Sequence, residues 1–158
     1  MNKKDNQKVF FGNQKVSKLE KQKGVDKIFS KVTKNYDLMN DLMSFGAHRL
    51  WKRTFVKQAK LKNQDKVLDL AGGTGDITKI VHGSISECEI YLCDQNASMV
   101  EFAKDRAMDE GFINNTEFET CEAENLPYKK NFFNHVFISF GFRNFSDKHK
   151  ALNEILRV

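Results

Sequence analysis

The chain has 158 residues, a formal charge of +5, 40% hydrophobic and 30% charged side chains. That length suits one domain, and the composition excludes a disordered chain. No apolar run nears the roughly 20 residues of a membrane-spanning helix, and the polar Met1–Lys8 lacks the apolar stretch of a signal peptide.

Asp5, Glu20 and Asp26, with no Arg before Arg49, also exclude an Arg-rich, acid-poor transit peptide. The excess Lys is scattered between Lys3 and Lys66. It forms no cluster or aromatic-interleaved platform of the kind that binds nucleic acid. A solvated face accounts for it, or weak attraction to an anionic membrane surface. Cys88, Cys93 and Cys121 are odd in number and lack C-x-x-C spacing. Reduced thiols and no metal site are expected.

Residues 1–18 are polar and unpatterned, and a loose tail is expected. From Leu19 to about Met43 the pattern is helical: Val25, Ile28, Phe29, Val32, Tyr36 and Met39 recur at i, i+3, i+4 spacing. After a turn at Ser44-Phe45-Gly46, a second amphipathic helix is marked by Ala47, Leu50, Trp51, Phe55, Val56 and Ala59. Val67-Leu68-Asp69-Leu70 then reads as a buried parallel strand running into a Gly-rich turn. A helix over 76–81, a strand over 89–93 and a helix over 97–110 follow. The last has Met99, Val100, Ala103 and Ala107 on one face and Gly111 as its stop. Strands are predicted over 116–121 and 135–140. A final helix starts at Ser146 or Asp147, either of which can cap it. Strands alternating with helices predict an α/β parallel sheet with right-handed crossovers. Ile155-Leu156-Arg157-Val158 stops inside an amphipathic pattern, so the sheet is expected to lack its last strands and leave the fourth at an open edge.

Asp69-Leu70-Ala71-Gly72-Gly73-Thr74-Gly75-Asp76 joins the first of these strands to its helix. Glycines there permit a sharp turn and a close approach of ligand to main chain, in front of free helix N–H groups. The segment is neither the dinucleotide fingerprint nor a P-loop, since Thr78 stands where a third glycine belongs and no Gly-Lys-Ser/Thr follows. A tight turn with no ligand is the alternative. The next strand, Ile90-Tyr91-Leu92-Cys93-Asp94, ends in a carboxylate that can accept both hydroxyls of a ribose, or merely cap a helix. After the third strand, Glu122, Ala123 and Asn125 offer a polar side chain and a backbone N–H to an adenine edge, or form only a loop. Together the segments predict an adenosine-containing ligand without a pyrophosphate. S-adenosylmethionine fits, with Gly73 and Thr74 facing its methionine part.

The stretch Tyr36-Asp37-Leu38-Met39-Asn40-Asp41-Leu42-Met43-Ser44-Phe45-Gly46-Ala47-His48-Arg49-Leu50-Trp51 is not explained by periodicity. With Asp69–Asp76 and Phe140-Gly141-Phe142-Arg143-Asn144-Phe145 it resembles the ubiquinone/menaquinone biosynthesis C-methyltransferase family, from about Phe10 to Val158. The resemblance implies the class I S-adenosylmethionine-dependent methyltransferase fold, a Rossmann-like parallel sheet. It implies methylation of a ring carbon of a polyprenylated quinol: demethylmenaquinol, or a methoxy-polyprenyl-benzoquinol. The domains expected are the tail, N-terminal helices over 19–62 on the substrate side, and a cofactor-binding domain over 63–158, incomplete at its C-terminus.

The family's cofactor positions fall on Thr74, Asp94, Glu122, Ala123 and Ser139. The family usually has Asn where Glu122 stands, which implies tolerated or slightly altered affinity. It also continues past Arg157-Val158 with a Lys-Pro-Gly-Gly turn and three more strands. Carbon methylation needs an electron-rich ring, and deprotonating a ring hydroxyl supplies it. Arg143 is the candidate to stabilise the quinolate. It is a poor base itself, so a water beside it is expected to take the proton, oriented by Asn144. Pairing with a nearby acid is the alternative for Arg143. His48 is either an acid–base group or a helix-packing residue. Tyr36 and Trp51 are candidate walls of the quinol pocket, although Trp51 and Met39 also suit a core. Expected partners are the quinol, a peripheral membrane contact, and a homodimer or quinone-biosynthesis complex. Nucleic acid is not expected. The expected location is the bacterial cytoplasm, peripheral to the inner membrane. The rival readings are an inactive fragment or scaffold, and a methyltransferase for another phenolic or lipid-like substrate.

Overall fold

The computed structural model describes residues 8–11, 14–17, 47–85 and 87–158. It falls into two units, residues 1–37 and 38–158. In the first, β1 (Lys8–Phe11) and β2 (Gln14–Ser17) pair antiparallel, with Val9 opposite Val16. The expectation of a loose tail over 1–18 is corrected there. Val9, Phe10, Phe11 and Val16 favour strands, and two residues, Gly12-Asn13, separate the runs, a hairpin spacing. The helix expected over 19–43 lies outside the described residues, with Tyr36 and Met39 in it.

The second unit holds α1 (Ala47–Gln58), β3 (Lys66–Leu70), α2 (Asp76–Ser84), β4 (Glu89–Asp94), α3 (Ala97–Glu110), β5 (Thr116–Thr120), β6 (His135–Phe137) and α4 (Lys148–Arg157). A short 3-10 turn, Phe142–Asn144, precedes α4. The four strands are parallel in the order β5-β4-β3-β6. Register places Leu68 beside Tyr91, Leu70 beside Cys93 and Val67 beside His135.

Side chains alternate across the sheet. Leu68, Leu70, Tyr91 and Cys93 pack on one face with Leu126, Ala151 and Val158. The rings of Tyr128, Phe132 and Phe133 meet Tyr91 edge-on on that face, at centroid distances of 5.8, 5.4 and 5.3 Å. Val67, Ile90 and Phe137 pack on the other face with Ile77 and Val81 of α2 and Val56 of α1. Leu92 meets Val100 and Ala103 of α3. Cover on both faces is why β3 is a near-continuous apolar run.

Val56 therefore ties α1 to the sheet within the second unit. Ala59 of the predicted apolar stripe also packs against that core, half-buried, whereas Leu50, Trp51 and Phe55 are exposed. Caps follow the sequence closely. Asn96 Oδ1 accepts from Ser98 and Met99 N–H at the start of α3, and Gly111 ends it at φ +77°. Asp147, not Ser146, caps α4 by accepting from Lys150 N–H. Cys93 and Cys121 are paired as a disulfide, with Cα atoms 5.8 Å apart, inside the span of that bond. The expectation of reduced thiols holds for Cys88 alone, free and buried.

Candidate functional site

Parallel strands point their carboxyl ends to one edge. Chain order runs from β3 outward through β4 to β5, then returns to place β6 on the other side of β3. Such a reversal leaves a crevice outside the strand ends, where open α/β sheets bind ligands. The Gly-rich turn leaves β3 at that point, and Asp94 ends the neighbouring strand.

The two are joined directly. Gly73, at φ +55°, turns its N–H toward Asp94 and donates to Oδ2 at 3.0 Å. Asn96 N–H donates to Asp94 Oδ1 at 3.0 Å. A carboxylate accepts about four hydrogen bonds, so capacity remains for a ribose beside the backbone donors. Burial pushes the Asp94 carboxyl above its ordinary value, against the backbone donors at Asn96, Gly73 and Gln95. Thr74 is buried beside Gly73.

On the far side, the segment after β5 bends back, with Asn125 N–H donating to the Glu122 carbonyl. Ala123 is buried and Glu122 exposed. This loop is held from α4: Glu154 accepts from Leu126 N–H at 2.9 Å, and Arg157 donates to the carbonyls of Leu126 and Tyr128 at 2.8 and 2.6 Å. Glu124 accepts from Ser146 and Asp147 N–H. Nothing in the local sequence pattern announced this clamp, whose partners lie 22 to 31 residues apart.

β6 is shorter than the predicted 135–140. Phe140 takes φ +63° and diverts the chain, and Gly141 lies against Ala71 of the Gly-rich turn. Ser139 is half-buried in this segment. Arg143 and Asn144, in the 3-10 turn that follows, are exposed. Arg143 has no acid partner among the described residues, so the alternative of an ion pair is not seen. His48 lies on α1, but its side chain is outside the described residues, as is Tyr36. Trp51 is 59% exposed on α1.

Asp69 was missed by sequence reading as a working residue. It is 1% exposed on β3, and its Oδ2 accepts from Thr78 N–H at 3.1 Å and Thr78 Oγ1 at 2.8 Å. The reason lies in the turn. Gly75 is the N-cap of α2 and has no side chain to cap with. Asp69 supplies the acceptor that the first-turn N–H groups need. Burial raises its carboxyl to about 6, resisted by the Thr78 hydrogen bonds. Its folded value thus lies above the ordinary 3.8. The folded state keeps the proton longer, so this group's contribution to stability is full below pH of about 4 and is lost as pH rises through about 6. Two units correspond to about 3 kcal/mol. Urea unfolding of the wild type and Asp69→Asn between pH 4 and 7 is expected to show the wild type losing that advantage over the variant. Equal pH slopes for the two proteins would contradict it.

A parallel α/β sheet with a Gly-rich turn bonded to the terminal acid of the next strand defines a Rossmann-like nucleoside-cofactor domain. A model of the ubiE/COQ5 methyltransferase family matches residues 16–158, and the chain belongs to that family. The ubiquinone/menaquinone biosynthesis C-methyltransferase UbiE of Xylella fastidiosa is 47% identical over 149 residues, which is 94% of this chain and 59% of that protein. Its namesake in Idiomarina loihiensis is 43% identical over 159 residues, 100% of this chain and 63% of that one. The chain thus spans about six-tenths of the length of these curated relatives. Among solved structures, the YcgJ protein of Bacillus subtilis is similar at 29% identity and TM-score 0.63, over 71% of this chain and 46% of that one. A SAM dependent methyltransferase from Aquifex aeolicus is similar at 27% identity and TM-score 0.59, over 68% and 57%. The fold is the class I methyltransferase fold that the motifs implied.

Proposed function

We propose that this protein takes part in S-adenosylmethionine-dependent C-methylation of a polyprenylated quinol in ubiquinone or menaquinone biosynthesis, and that the described unit holds the cofactor. Family membership supports the reaction class, and the curated names of the relatives support the substrate. The observation that carries the cofactor assignment is the Gly73 N–H to Asp94 hydrogen bond. It holds a glycine turn and a half-buried carboxylate together at a strand-order reversal, where a nucleoside fits.

S-adenosylmethionine supplies an electrophilic methyl group. In this reading Gly73 and Thr74 hold its amino-acid end, and Asp94 accepts the ribose hydroxyls. Ala123 and Glu122 meet the adenine, and Ser139 borders the same crevice. Holding two reactants in line is worth about 7–11 kcal/mol of barrier in favourable cases.

Arg143 stands on the rim after β6, exposed and without an acid partner among the described residues. Its charge is therefore available to a quinolate oxygen. Asn144 beside it orients the water that takes the ring-hydroxyl proton, and His48 is the alternative acid–base group. Trp51 of α1 borders the quinol side. No described helix is long and apolar enough to cross a membrane. Exposed Leu50, Trp51 and Phe55 suit peripheral contact with the membrane that carries a prenylated substrate.

Calorimetric titration of the chain with S-adenosylmethionine is expected to give saturable binding, and well-folded protein without heat would end the cofactor reading. In an active preparation, Arg143→Met is expected to lower kcat for the quinol about 100-fold, as loss of one oxyanion donor does, with cofactor affinity within about twofold. An equal loss in cofactor affinity would move Arg143 out of the quinol site.

A further inference from the structure

Asp76, the first residue of α2, is where three helices meet. Its Oδ2 accepts from Lys52 Nζ of α1 at 2.7 Å, and its Oδ1 from Arg106 Nη1 of α3 at 2.8 Å. The same Arg106 nitrogen donates to the carbonyl of Thr74 at 3.1 Å. Arg106 Nε also donates to Glu110 at 2.9 Å, and Glu110 pairs with Lys79 of α2 at 2.7 Å. The three central side chains are only 13%, 20% and 17% exposed for Lys52, Asp76 and Arg106.

These are not ordinary surface pairs. Exposed ion pairs contribute little because water and salt screen them. Partly buried ones are screened less, and removing one partner strands the others. Burial alone would raise the Asp76 carboxyl, but Lys52 and Arg106 outweigh it and hold the carboxyl below its ordinary value. Asp76 is thus a fixed anion in the first turn of α2, where the helix dipole also favours negative charge.

Position gives the network its meaning. Val56 already packs α1 into the core, so attaching the helix does not require Lys52. Lys52 adds a directional bond to the residue that follows Gly75. Arg106 adds one to the carbonyl of Thr74, which sets the plane of the next peptide in the cofactor turn. We propose that Lys52 and Arg106 are positioning residues acting on the cofactor turn through Asp76, so that filling the turn is felt in α1, the helix that carries Trp51 and His48. The proposal rests on the cofactor reading above and adds to it a physical link between cofactor and substrate sides.

The test pairs calorimetry with hydrogen exchange on the chain, using S-adenosylhomocysteine as the probe. In the wild type, saturating probe is expected to slow exchange in the peptide covering residues 47–58. Lys52→Met is expected to remove that slowing and weaken binding about 3- to 10-fold, and Lys52→Arg to restore both. Adding Lys52→Met to Asp76→Asn is expected to change nothing further, because the pair acts as a unit. Arg106→Met is expected to weaken binding about 10-fold or more. If that variant fails to fold, the Lys52 variants decide the matter, since Lys52 lies outside the apolar core. Binding in Lys52→Met with α1 protection intact would overturn the coupling and leave the cofactor reading standing. Absence of heat in the wild type would overturn the cofactor reading, and the coupling with it.

Discussion

Asp94→Ala is expected to weaken S-adenosylmethionine binding by about two to four orders of magnitude. Hydrogen bonds to a charged group contribute about 1.5–3 kcal/mol each, and a ribose offers two hydroxyls. Losing both costs about 3–6 kcal/mol, at about 1.4 kcal/mol per decade. The variant also deprives Gly73 and Asn96 N–H of their acceptor, so the turn itself loosens. Asp94→Asn separates the two effects. Its amide oxygen can still accept from Gly73, but its amide nitrogen presents a donor where a second acceptor stood. Asn leaves only Asn96 N–H without its acceptor, so it is expected to lower the thermal midpoint less than Ala does while losing most of the affinity. Acidification acts in the same direction. Because burial raises the Asp94 carboxyl, protonation and loss of affinity set in at a higher pH than for a solvated carboxylate. Wild-type affinity in the Ala variant would show that the ribose lies elsewhere.

What the sequence disclosed divides along a physical line. Features set by neighbours in the chain were legible. The helix over 97–110 appears with the predicted bounds, because its period, its Asn96 cap and its Gly111 stop are local. The Gly-rich turn after β3 and the acid that ends β4 lie where the strand pattern put them. Features set by distant partners were not legible. Asp69 looked like an interior strand residue, and only the fold shows that it caps α2 across nine positions. Lys52 and Arg106 carry no mark of partnership in the chain pattern, and Asp76 brings them together. Cys93 and Cys121 carry no spacing signal at a separation of 28. The stripe on α1 misled for a related reason. Periodicity marks an apolar face but not its cover, and of Leu50, Trp51, Phe55 and Val56 only Val56 is buried.

Gly141→Ala is expected to damage both fold and cofactor site, and the cause can be isolated. Gly141 has φ −75° and ψ −28°, which any residue adopts. Glycine is needed there for space, not for backbone freedom. A Cβ at 141 would stand next to the Cβ of Ala71, far inside van der Waals contact. Neither atom can rotate away, since both are bonded to backbone. The Gly-rich turn or the segment after β6 must move, at about 3 kcal/mol, the upper part of the usual range for overpacking. That is a large share of a typical stability of about 5–15 kcal/mol. The displaced turn includes Gly73, so cofactor affinity is expected to fall about 10-fold or more as well. Ala71 itself sits at φ +56°, where glycine is at least as comfortable. Ala71→Gly alone is therefore expected to be nearly neutral. In that background the contact is gone, and Gly141→Ala should change sign. It then only restricts the unfolded chain, which stabilises by about 0.4–1 kcal/mol. Thermal melts of the four proteins in this cycle read the reversal directly. A Gly141→Ala penalty that persists in the Ala71→Gly background would mean that the two segments do not meet at this point. The crevice between the Gly-rich turn and the Arg143 rim would then have to be drawn differently.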